Sequence, residues 1–301
     1  MMQLPPAGHE PVLIEQVLEL LQPQAGQTFI DCTLGRAGHA SAIASQLGPT
    51  GLLVGLDVDP RNLEFARERL ATVPCQVRLF HANFAELNEV MEKLDGTPIH
   101  GILADLGLST NQLFDAHYGL SFSQDMPLDM RIDPRIEKTA ADLVNSLPED
   151  DLANVLYELA QERYSRRIAR KIGEARRISP IKSTQRLAEL VRSAIGSWEG
   201  SREKIDPATR TFLALRMKVN REMENLAALL KQAPKFLATG GRLGIISFQS
   251  MEDRMVKQAY RSAEQTGLLR ILTKKPLTPS DSELAANPRS RSAKLRVLER
   301  I

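Results

Sequence analysis

Cysteine is scarce in this chain of 301 residues: there are two, Cys32 and Cys75, with no CxxC spacing. That scarcity excludes a disulfide framework and a thiolate zinc site, and two isolated thiols in apolar surroundings read as reduced cysteines of a cytosolic protein. The five histidines are scattered without an HxxxH pair, so no metal site is expected. No uninterrupted apolar run reaches membrane-spanning length, and the opening Met1-Met-Gln-Leu-Pro-Pro lacks the basic and apolar regions of a secretory leader. The expectation is a soluble, cytoplasmic protein with no membrane contact. Internal repeats and low-complexity segments are also lacking. Charge of one sign is not in excess: the formal net charge is +2, so any partner must be read from where the charges lie.

What is present is an ordinary globular composition, 43% hydrophobic and 25% charged, on a length that suits two domains or one large domain carrying an insertion. The most informative stretch is residues 28 to 60. An apolar strand around Phe29 and Ile30 ends on Asp31 and runs through Cys32-Thr-Leu-Gly35-Arg36-Ala37-Gly38-His39 into a helix. A second apolar strand, Leu52 to Leu56, ends on Asp57. This is a βαβ unit, with glycines where the backbone must approach a ligand and an acid placed to accept both hydrogens of a ribose diol. The glycine spacing departs from G-x-G-x-x-G, and Asp31 would repel a diphosphate. A cation such as S-adenosylmethionine, which carries a sulfonium and an ammonium, would tolerate it. The pattern by itself favours that cofactor and leaves NAD or no ligand open.

Further along, Pro60 opens a helix, Gln76 to His81 alternates as a third strand, residues 84 to 94 form an amphipathic helix, and Ile99 to Ala104 is a fourth strand ending on Asp105. Alternation of strand and helix predicts an α/β, Rossmann-like doubly wound parallel sheet with its ligand crevice at the carboxyl ends of the strands. Asp31, Asp57, Asn83-Phe84 and Asp105 each fall at such an end. A loop-rich segment from Leu106 to about Lys138, with Phe114, Tyr118 and Phe122, precedes a helical block. Pro207 then starts one long helix running past Leu230, and a Gly240-Gly241 turn leads to a fifth strand, Arg242 to Phe248. Residues 271 to 299 suggest antiparallel strands at the sheet edge. The expected division is residues 1–138 with 208–301 as one domain and 139–207 as an inserted helical domain. Within the insertion, Arg163, Arg166, Arg167, Arg170 and Lys171 share one helical face, either as a solvated surface or as phosphate contacts.

Several segments together carry a resemblance. His9-x-Pro-Val-Leu13, Asp31-x-Thr-Leu-Gly35-Arg-x-Gly-His39, Asp105-Leu-Gly-Leu-Ser109, Pro127-Leu-Asp-Met-Arg131, Pro207-Ala-Thr-Arg-Thr-Phe212, Ser247-Phe-x-Ser-x-Glu-Asp-Arg254 and Asn287-Pro-Arg-x-Arg-Ser292 resemble the bacterial small-subunit ribosomal RNA methyltransferase H family, also called MraW. The resemblance implies a class I S-adenosylmethionine-dependent methyltransferase with an inserted helical domain. It implies N4-methylation of a cytidine in 16S rRNA at the decoding centre. It carries cofactor contacts onto Ala37, Gly38, His39, Asp57, Phe84, Asp105 and Gln112. This chain has Ala37, Leu213, Gln249 and Met251 where the family usually has Gly, Gln, His and Leu, and Tyr118 and Leu120 also depart from the usual pattern. Ala37 costs little if its φ is negative.

The exocyclic amine of cytosine is a poor nucleophile, so acceptors on its N–H groups would help it attack and take its proton. Asp105 and Ser109 are the candidate catalytic residues, Asp105 on the cofactor side and Ser109 toward the base. Duller roles stand beside these. Asp57 could cap the Pro60 helix, His39 could be structural, Phe84 could be core, and Phe114, Tyr118 and Phe122 could pack their loop instead of stacking on a cytosine. Two other functions are weighed: a catalytically silent RNA-binding relative of the same fold, and a dinucleotide-dependent oxidoreductase. The 16S rRNA is the expected partner. The sequence does not set the oligomeric state, and a dimer is compatible with it.

Overall fold

The computed structural model describes residues 11–109, 112, 113, 115–196 and 206–301. His9 and Phe114 lie outside the described residues. The chain divides into two compact units, Met1–Ser109 with Met223–Ile301, and Thr110–Glu222.

The first unit holds a seven-stranded sheet in the order β3-β2-β1-β4-β5-β7-β6. Its strands are β1 (Thr28–Asp31), β2 (Leu52–Asp57), β3 (Gln76–His81), β4 (Ile99–Asp105), β5 (Leu237–Ser247), β6 (Leu269–Ile271) and β7 (Lys294–Arg300). The first five run parallel. β7 enters antiparallel between β5 and β6, so the expected terminal hairpin supplies the last two strands of that edge. β5 starts earlier than its alternation suggests, at Leu237, and takes the Gly240-Gly241 pair into the strand across a register shift opposite Ile99 and Gly101.

Helices cover both faces, as the continuous apolar strands require. One face packs α1 (Ile14–Leu21), α2 (Gly38–Leu47) and α3 (Pro60–Arg69) around buried Val17, Phe29, Ile43, Leu47, Leu53 and Leu63. The opposite face packs α4 (Leu87–Lys93), α10 (Glu222–Phe236) and α11 (Ser250–Glu264) on Ile30, Val54, Ile102, Leu229, Ile245 and Val256. Connections leave β1 toward one side and β4 toward the other, so the strand order reverses between them. In open α/β sheets that is where a crevice opens at the carboxyl ends. Asp31 is in register with Leu103, two residues short of Asp105.

The second unit contains α5 (Ala140–Ser146), α6 (Glu149–Ala160), α7 (Ser165–Ile178), α8 (Thr184–Ile195) and α9 (Ala208–Val219). Its boundaries are wider than the expected 139–207 because the preceding loop is tied into it. Leu128 N–H donates to Lys182 O at 2.9 Å, Met126 N–H to the Thr184 hydroxyl at 3.1 Å, and Ile132 N–H to Asn220 Oδ1 at 2.9 Å. Gly119 is obligatory in that loop: its φ is +60°, and a Cβ there would meet Pro127 O at 2.0 Å. Asp129 closes the Leu128-Asp-Met-Arg131 segment by accepting from Arg131 Nε at 2.7 Å, so this motif orders a loop.

The single long helix expected after Pro207 is two. α9 stops at Asn220, Arg221 takes a left-handed φ of 51°, and α10 begins at Glu222. Apolar periodicity runs through the break without marking it. The Asn220 side chain is engaged by the loop, donating to Met130 O at 2.8 Å, which fixes the stop.

Candidate active site

The four strand tips read from the sequence lie along one edge of the first unit, and hydrogen bonds join three of them. Thr33 is the joint. Its N–H donates to Asp31 Oδ1 at 3.1 Å, and its hydroxyl accepts from Asp105 N–H at 2.6 Å, so the loop after β1 is stapled to the end of β4. Gly35 N–H donates to Asp57 Oδ2 at 2.7 Å, tying the same loop to the end of β2. Arg36 closes the far side, its guanidinium lying 4.5 Å from the centre of the Phe65 ring while its carbonyl accepts from Arg69. The loop is therefore held from three sides. The role of the Thr33 hydroxyl has no local sequence signal, because its partner is 72 residues away.

Asp57 is 8% exposed and accepts from Gly35 N–H, from Asp59 N–H at 2.8 Å and from Asn62 at 3.2 Å. It is not the helix cap: Asp59 caps α3 by accepting from Arg61 N–H at 3.0 Å, with Pro60 in the first turn. Burial pushes the Asp57 carboxyl from its ordinary 3.8 up to about 6, against those hydrogen bonds. Asp31, 2% exposed, is pushed likewise to about 6 by burial and by neighbouring Asp105, against the attraction of His39 and the Thr33 bonds. Two carboxylates sunk beside one loop, short of cationic partners, suit a ligand that brings a positive charge and hydroxyl donors. They suit a diphosphate badly.

His39 is buried at the start of α2. Its Nε2 faces Val12 O at 2.8 Å, and a carbonyl only accepts, so Nε2 carries the proton. Nδ1 is thereby left toward Asp105 Oδ2, at 3.8 Å. His39 thus anchors the segment before α1 and also faces the Asp105 carboxylate.

Ala37 does not meet the expectation of a low-cost substitution, since its φ is +58° and its side chain is fully buried. A left-handed alanine costs on the order of 1–2 kcal/mol, which the packed methyl partly offsets at about 0.8 kcal/mol. Gly38 follows as the first residue of α2. Phe84 opens a 3-10 turn capped by Asn83, which accepts from Ala85 N–H at 2.9 Å while Glu86 accepts from Asn83 N–H at 2.8 Å. The ring is partly buried against the core, as the core reading has it. Gln249 sits at the start of α11, where the Glu252 carboxylate accepts from both Phe248 and Gln249 N–H at 2.9 Å. Ser109 lies four residues past the end of β4 in the first unit, while Gln112, 5% exposed, belongs to the second. Tyr118 is buried, and the half-buried Phe122 packs edge-on against Phe212 with ring centres 4.7 Å apart. Among the described residues, no group of three or more His, Cys, Asp or Glu could hold a metal ion.

A parallel sheet in this order, with its seventh strand antiparallel between the fifth and sixth and acids at the tips of β1, β2 and β4, defines a class I S-adenosylmethionine-dependent methyltransferase. Sequence comparison makes the class particular. Residues 6–301 match the model of the MraW methylase family, and the chain belongs to that family. A ribosomal RNA small subunit methyltransferase H from Syntrophotalea carbinolica is 47% identical, with 97% of this chain and 98% of that protein covered. One from Acidobacterium capsulatum is 45% identical over the same shares. Among solved structures, a putative rRNA methylase from Clostridium thermocellum aligns over 96% of this chain and 95% of its own at 13% identity, with a TM-score of 0.46.

Proposed function

We propose that this protein transfers a methyl group from S-adenosylmethionine to N4 of a cytidine in 16S rRNA of the small ribosomal subunit. The reading is carried by the match of nearly the whole chain to methyltransferases named for small-subunit ribosomal RNA. When bound, S-adenosylmethionine supplies a methyl group on a sulfonium. Asp57 would accept from the ribose hydroxyls, Asp31 would stand as counter-charge to the cationic end, and Ala37, Gly38 and His39 would bring backbone close to it. Phe84 would lie against its adenine.

For the acceptor, Asp105 and Ser109 receive the N–H groups of the cytosine amine, which localises its lone pair for in-line attack on the methyl carbon. The nitrogen must lose one proton as it is methylated, and Asp105 would take it. Labelled methyl transfer to small subunits lacking the modification, followed by nucleoside mass spectrometry, tests the reading. N4-methylcytidine is expected from the wild type, and Asp105→Asn is expected to lose roughly 10²- to 10⁴-fold in kcat. Full activity in that variant would sink the assignment. A wild type that binds cofactor and RNA yet never yields N4-methylcytidine would favour the silent relative, to which the departure at Gln249 points.

A further inference from the structure

The corner between α6 and α7 presents a combination that the methyl-transfer chemistry does not use. Tyr157, on the last turns of α6, is 61% exposed, and Tyr164, just before α7, is 41% exposed. Both are far more open than folding favours for rings of this size, and seven residues separate them across a single turn. That turn is fixed from inside. Glu162 is 3% exposed and accepts from Tyr164 N–H at 2.8 Å, while its own N–H donates to Leu156 O at 3.2 Å. The rings therefore stand on a rigid corner and would lose little freedom on meeting a ligand.

A basic run begins at the same corner. Residues 163–177 contain seven arginines and lysines and one acid, Glu174. Not all are available: Arg176 donates to Val144 O at 2.7 Å, Arg170 lies 3.9 Å from Glu149, and Lys171 lies 4.0 Å from Glu174. Those three belong to the middle and end of α7, whose buried face is Ile168, Ala169 and Ile172. At the corner itself, Arg166 and Arg167 are exposed, and the Arg167 guanidinium lies 5.7 Å from the centre of the Tyr164 ring. Of the expected five-residue basic face, Arg170 and Lys171 thus lie near acids, while Arg167 stands beside the Tyr164 ring.

We propose that this corner is a stacking platform for single-stranded RNA: two unpaired bases rest on Tyr157 and Tyr164 while Arg166 and Arg167 hold the adjoining phosphates. Aromatic faces accept any base, and arginines beside them neutralise the backbone, the combination by which single strands are bound without sequence readout. A duplex, its bases already stacked, would gain only the phosphate contacts. The proposal rests on the rRNA-modifying function proposed above and adds where unpaired RNA is held.

The test is fluorescence anisotropy with the full-length protein, using a labelled 12-nucleotide single-stranded RNA and a blunt RNA duplex of equal length across a salt series. Tyr157→Ala with Tyr164→Ala is expected to weaken single-strand binding on the order of 10- to 100-fold and leave duplex binding within about 2-fold. Tyr157→Phe with Tyr164→Phe is expected to restore it, since the ring and not the hydroxyl stacks. Arg166→Gln with Arg167→Gln is expected to flatten the salt dependence by about 1.4 in log–log slope. Unchanged single-strand affinity in the alanine pair, or equal losses on strand and duplex, would overturn the proposal and return the tyrosines to a protein-facing or solvated surface. Methylation of small subunits by the same variants keeps the two readings apart. A wild type without methyl transfer defeats the enzyme reading, whereas the anisotropy result decides the platform in either case.

Discussion

Asp31→Asn probes the crevice without altering its shape. The Asp31 carboxyl is 2% exposed, and burial, opposed by the attraction of His39, raises it from 3.8 to about 6. A group raised in the folded state contributes stability that is fully present below its unfolded value and is lost as pH rises through its folded one. The window is therefore about pH 4 to 6, and above it the ionised form weakens the fold by up to about 3 kcal/mol, at roughly 1.4 kcal/mol per pH unit between the two values. Asparagine keeps an oxygen for Thr33 N–H and cannot ionise. Asp57, raised similarly, is common to both proteins and cancels in the difference. Urea unfolding without cofactor should thus show nearly equal stabilities at pH 4, with the variant ahead by about 2–3 kcal/mol at pH 7.5. Calorimetry should show the reverse for function. Wild-type affinity for S-adenosylmethionine should rise between pH 5 and 7 with proton release, because a cationic ligand favours the ionised acid, and the variant should bind more weakly without that rise. A stability difference that does not change with pH, or a variant less stable at pH 7.5, would refute the account of a buried acid awaiting a cation.

Thr211, fully buried in α9, is the one buried side chain among the described residues whose polar atom has no partner, so Thr211→Val should raise stability by about 1 kcal/mol in chemical denaturation. Gly119→Ala should cost more than about 2 kcal/mol, since a left-handed φ and a blocked Cβ act together; unfolding monitored within residues 110–222 reports it. Burial works against ionisation of Glu299, yet hydrogen bonds from Arg270 and Arg242 hold its carboxyl below the usual range. Glu299→Gln should lose roughly 3 kcal/mol at pH 7 by leaving two guanidiniums without their carboxylate. Because that pKa is lowered, the loss should shrink only as pH falls below the ordinary 4.5, the opposite sense to Asp31.

Several features were determined along the chain itself, because the forces involved are local or periodic. Strands buried on both faces read as continuous apolar runs, so β1 to β4 were legible within a residue or two. Pro60 and Thr139 mark helix starts by their own backbone preferences, Thr139 in a capping box with Asp142. The acids at the strand ends were legible because a parallel sheet places every carboxyl end on one edge. Other features depend on partners remote in sequence, and only the tertiary structure decided them. The break at Asn220 is set by Met130 and Ile132, some 90 residues earlier. Thr33 reveals itself as the staple between β1 and β4 only once Asp105 lies beside it. Ala37 proved left-handed, which apolar patterning cannot report. Charge counting gave the basic run a single face, whereas folding brought Glu149 against Arg170 and left the arginines near Tyr164 to the surface. Period and propensity act over a few residues and are written in order; pairing acts across space, and the order of the chain does not carry it.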